Sequence, residues 1–146
     1  MNTSHRNPRC RAPLAFSAFA LGALAFGCAS HSKLLNNDKT VSEEEVRAAG
    51  AATADPALGA PLVHILEHHA DYDTSIVVAA LVAVGDRKDA SAVGAIDALR
   101  THPSEEVRWH CVLALKQIGD DAARKALAAF ASDESAMIRE EASENS

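Results

Sequence analysis

The apolar positions of this chain recur with helical spacing, and the helices they outline recur with a longer period. In the stretch 107–120, VRWHCVLALKQIGD, the residues Val107, Cys111, Ala114, Leu115 and Ile118 fall at i, i+4, i+7, i+8 and i+11. That is one apolar stripe of an α-helix. The Gly-Asp pair that follows is a helix stop. Sliding the stretch 34 residues back brings 73–86, DTSIVVAALVAVGD, into register, with Val77 on Cys111, Leu81 on Leu115 and Gly85-Asp86 on Gly119-Asp120. Sliding it 31 residues forward puts Ile138-Arg139 on Val107-Arg108 and Ala142 on Cys111. Each unit has a partner helix upstream, marked by Leu62 and Ile65, by Ile96 and Leu99, and by Leu127 and Phe130.

A period in the thirties with two short amphipathic helices per unit predicts an all-α fold, a short right-handed α-solenoid in which each pair buries its face by stacking on its neighbours. The Val-Arg opening, the Ala/Leu stripe and the Ile-Gly-Asp close resemble HEAT repeats of the phycobilisome-lyase type, over roughly residues 55–146. The first unit departs from that pattern at Asp73-Thr74, and the last is cut short. The resemblance implies a polar ladder between successive units, built from Arg108 and Arg139 with Asp86 and Asp120. It implies little about function, because solenoids serve many tasks.

Upstream of the repeats the pattern changes twice. Arg6, Arg9 and Arg11 precede an uncharged apolar run over 14–26 that ends at Gly27-Cys28. This is the layout of an export signal, and the run is too short for an ordinary membrane-spanning helix. It resembles a bacterial lipoprotein signal, which would make 1–27 the signal peptide and Cys28 the lipidated first residue. Ser30, where an aspartate would favour inner-membrane retention, then points to the periplasmic side of the outer membrane in a Gram-negative host. An ordinary secretory signal or an uncleaved anchor is the alternative. The polar stretch 28–41 has no sustained period and reads as a flexible tether. Ser42 and Glu45 then form a capping-box pattern, with Val41 and Val46 as staple, so that 42–54 should hold a short helix covering the open end of the stack.

Charge and cysteine content narrow the partners. Without the three leader arginines the chain carries 11 basic residues against 20 acidic, a net charge of −9. Nucleic acid and anionic lipid surfaces are excluded as partners on that balance. Cys111 lies on the apolar stripe and reads as a small buried hydrophobe, so no disulfide framework is expected.

Three groups of residues are candidates for function. Trp109 lies about 200° around its helix from Val107, with Leu113 and Lys116 on the same side and Val82 in the preceding unit. Such a row would line the groove through which solenoids grip partners; the alternative is that Trp109 lies over a neighbouring unit and enlarges an alanine-rich core. His64 and His68, at i and i+4, are weak metal-ligand candidates with Asp71 as a third donor, against the plainer reading of solvated surface residues. HEAT-like iron hydroxylases use His-Glu pairs, and no histidine here is followed by glutamate. No glycine-rich phosphate loop or nucleophile elbow is present. The expectation is therefore a non-enzymatic, cofactor-free scaffold in the cell envelope, lipid-anchored and bound to a protein partner, with metal binding or enzyme assistance through the histidines as the competing class. So few repeats lie near the lower limit for a stable array, and self-association or a docked partner would complete the core.

Overall fold

The computed structural model describes residues 31–144, all of them helical or in turns, with no strand among them. Eight α-helices follow one another: α1 (Ser32–Leu35), α2 (Glu43–Ala51), α3 (Gly59–Glu67), α4 (Thr74–Asp86), α5 (Val93–Ala98), α6 (Glu105–Ile118), α7 (Asp121–Ala128) and α8 (Ala136–Ser143). Short 3-10 turns extend several of them. The pairs α3/α4, α5/α6 and α7/α8 are the repeat units. Second helices pack on second helices, α4 between α2 and α6, and α6 between α4 and α8; first helices do the same through α3, α5 and α7. Both faces of α4 are therefore covered. This is why Ile76 through Leu81 is a continuous buried run rather than a stripe.

Polar side chains set where the helices begin. Ser42 caps α2 in a complete capping box with Glu45, while Val41 and Val46 are both buried beneath it. Asp55, Asp89 and Asp120 each accept a backbone N–H at the start of a first helix, from Ala57, Ser91 and Ala123. Ser104 does the same for α6. The repeat's own punctuation is thus an aspartate at the head of each unit.

The two aligned glycines do different jobs. Gly119 ends α6 at φ +68, the left-handed conformation that a glycine adopts without strain, and its N–H closes on Leu115. Gly85 remains inside α4, which runs on to Asp86 and turns at Lys88 with φ 51. A Cβ on Gly85 would stand 3.2 Å from the Ala114 Cα, so its role is close approach of α4 and α6. Asp86 accordingly is an exposed residue of the last helical turn, not the counterpart of the capping Asp120.

Gly50 makes the corresponding contact between α2 and α4. A Cβ there would lie 2.8 Å from the Cα of Ala83, a backbone atom that cannot swing away. Alanine would regain about 1 kcal/mol of helix propensity but incur overpacking of roughly 1–3 kcal/mol. Gly50→Ala is expected to lower the thermal midpoint, and a rise would show that α2 is not held against α4.

The segment read as a tether is docked from residue 31 onward. Leu34 is 1% exposed against α3 and the turn before it, and Lys39 pairs with Asp71 at 2.9 Å. Two adjacent leucines, Leu34 buried and Leu35 exposed, give no periodic signal, yet burial of Leu34 contributes to docking the turn. Residues 28–30, including Cys28, lie outside the described part together with the leader.

Candidate functional site

Among the described residues Arg108 is the one charged residue buried as a whole, at 4% exposure. Its Nε donates to Asp133 at 3.0 Å and its Nη2 reaches Glu134 at 2.7 Å, across the junction between the second and third units. Its Nη1 donates to the carbonyls of His102 and Pro103, in the turn before its own helix. Arg139 makes the equivalent local pair, to the carbonyls of Asp133 and Glu134. The repeated arginine therefore clamps the turn inside its own unit. The expected ladder to Asp86 and Asp120 is not what forms: Asp120 caps α7, Asp86 faces solvent, and the acid that meets Arg108 is Asp133. The first unit has Thr74 in place of the arginine, so no such clamp exists there.

Arg87, which no repeat pattern singled out, performs a related task at the other end of the stack. Its guanidinium donates to the carbonyls of Ala49, Ala52 and Asp55, closing the C-terminal end of α2 onto the end of α4.

Beside the Arg108 clamp, His102 is held in the turn with its Nδ1 accepting from the Ser104 N–H at 3.1 Å, and His69 meets it edge-on with ring centroids 5.4 Å apart. Burial, and then the nearby His69, lower the pKa of His102 below its ordinary 6.5. A histidine with a depressed folded-state pKa contributes stability that is present above 6.5 and is lost as the pH falls from there through the lower folded value. We expect the thermal midpoint to fall between neutral pH and pH 5, before carboxylates titrate, and His102→Gln to flatten that slope. An equal slope in the variant would exclude His102 as its source.

The row proposed for partner binding is only partly open. Trp109 is half-buried and packs on the core, as in the alternative reading of it, and Leu113 beside it is half-buried. Val82 is 39% exposed. Lys116 is engaged by the Glu141 side chain and lies 3.3 Å from the Glu141 carbonyl, so it ties α6 to α8 instead of facing a groove. Cys111 is fully buried, and burial pushes its thiol up to about 12, which leaves it unreactive.

The histidine pair lies at the C-terminal end of α3, with His64 in the helix and His68 as its C-cap. His64 and His68 stack with ring centroids 4.0 Å apart. The carboxylate within ligand reach of both rings is Glu67, at i+3 from His64, while Asp71 is held by Lys39.

A family model for HEAT repeats matches residues 59–145, more than half of the chain. The chain belongs to the HEAT-repeat family. Among curated proteins no match was found. HEAT repeats generally act in protein binding, and the described helices pack in the manner of such repeats.

Proposed function

We propose that this HEAT-repeat chain is a protein-interaction module of the cell envelope, exported by its leader and held on the membrane through acylated Cys28, with no catalytic activity of its own. The observation that carries the interaction role is the repeat fold itself, whose second-helix layer leaves Val82 and flanking parts of Trp109 and Leu113 accessible. The anchor rests on the basic, apolar and Gly-Cys pattern of the first 28 residues. No helix among the described residues is long and apolar enough to cross a membrane. Docking of residues 31–41 onto α3 would keep the domain close to such an anchor. The Val-Arg opening and Ile-Gly-Asp close are like those of phycobilisome-lyase-type repeats, a likeness of repeat type alone.

Two measurements test this reading. Palmitate label should enter the full-length protein in a bacterial host and be absent from Cys28→Ser; label in both, or in neither, removes the lipoprotein assignment. Co-purification from the native host's membranes should retain a partner that a folded Trp109→Ala, Leu113→Ala variant loses. The same set of proteins in both preparations would move the interaction surface away from this row.

A further inference from the structure

Among the described residues, one cluster of histidines and a carboxylate outside the clamp and the second-helix row has chemistry that points to a ligand. We propose that His64, Glu67 and His68 form a binding site for a divalent cation of the zinc class at the C-terminal end of α3.

Ligand atoms of the three side chains already lie within 4.8 Å of one another. Tetrahedral coordination at about 2.1 Å places donors roughly 3.4 Å apart. The remaining closure requires only side-chain rotation, since Glu67 and His68 are exposed and His64 is half-buried. The helix supplies the spacing: residues 64 and 68 stack one turn apart, and 67 lies on the same face as 64.

The orientation of His68 also suits a ligand. Its Nδ1 lies 3.0 Å from the carbonyl oxygen of His64, which can only accept. Nδ1 of the neutral ring therefore carries the proton, and Nε2 keeps its lone pair for a metal. A ligating imidazole whose other nitrogen donates to a backbone carbonyl is the usual outer arrangement of zinc sites.

Electrostatics favour a cation at this place. Glu67 is the last residue of α3 and His68 its C-cap, so the cluster lies at the negative end of the helix dipole. Glu67 makes no ion pair among the described residues. Lys39, the nearest cation on the neighbouring segment, is neutralised by Asp71. Two imidazoles and one carboxylate select zinc, nickel or copper over calcium and magnesium, which require oxygen donors. Three protein ligands leave a fourth position for water or for a donor from another molecule.

Isothermal titration of chelator-treated, detergent-purified full-length protein with zinc chloride tests the site. The expected result is one ion per chain, bound at least about tenfold more weakly by Glu67→Gln and not measurably by a His64→Ala, His68→Ala double variant. Because these side chains lie at the surface, the double variant should keep its helical circular dichroism. Cobalt added to the wild type should give visible absorption of tetrahedral strength, a readout that does not depend on any variant. Absence of zinc binding, binding unchanged in the double variant, or only the faint absorption of octahedral cobalt would overturn the proposal.

Discussion

Arg108→Ala is expected to lower the unfolding free energy by roughly 3–5 kcal/mol, enough to threaten a domain whose total is on the order of 5–15 kcal/mol. The cause is the acid left behind. The Asp133 side chain is 4% exposed, and without the guanidinium it retains only the Ser135 N–H, 2.8 Å away, against the cost of a buried charge. The pair with Glu134 adds little, since that carboxylate is 81% exposed and screened by water. Urea unfolding followed by circular dichroism measures the loss as a fall in midpoint at unchanged slope.

Arg139→Ala provides the control, because it removes the same two turn-clamping hydrogen bonds from an exposed guanidinium and strands no buried acid. Its cost should stay near 1 kcal/mol. Equal losses in the two variants would mean that the local clamp is the whole contribution and that the bridge to Asp133 adds nothing. A joint Arg108→Met, Asp133→Leu replacement should recover most of the loss, as buried pairs replaced by apolar groups of similar volume often do. The bridge would then set the register of the last two units more than their stability.

How much of this was legible beforehand follows from the range of each interaction. The three helix pairs, the cap at Ser42 and the burial of Cys111 depend on neighbours within one or two turns, and the local pattern reports those directly. Asp133 lies 25 residues from Arg108. Which acid an arginine meets across a unit junction depends on how the units are offset, and an alignment of repeats carries no such information. The two glycines were indistinguishable by alignment because a left-handed stop and a close helix crossing select the same residue. Leu34 was missed because it and Leu35 are adjacent in a polar stretch, and a pair of neighbours has no period. In the histidine cluster the i, i+4 pair was visible, whereas the choice between Glu67 and Asp71 was decided by Lys39, whose own place depended on the docking of residues 31–41.

The second large effect should come from Phe130→Ala, at about 3–5 kcal/mol. Phe130 is the largest of the fully buried side chains, and it sits in the 3-10 turn Ala129–Ser132 that joins α7 to α8 and packs on α8. The surrounding core is rich in alanine, whose side chains cannot move to fill the space, so most of the cavity should persist. Because each unit of a solenoid is held only by its neighbours, the loss should fall on the last pair before it reaches α4. Native-state hydrogen exchange would show this as faster exchange of the α7 and α8 amides, with α4 amides still opening only with the whole domain. Acceleration spread evenly over α3 to α8 would instead mean that the stack unfolds as a single unit. The Arg108–Asp133 bridge ties this same last pair to α6, so the two variants should be coupled: combined, they should cost less than their sum, since a last pair already detached by the cavity leaves Asp133 in water.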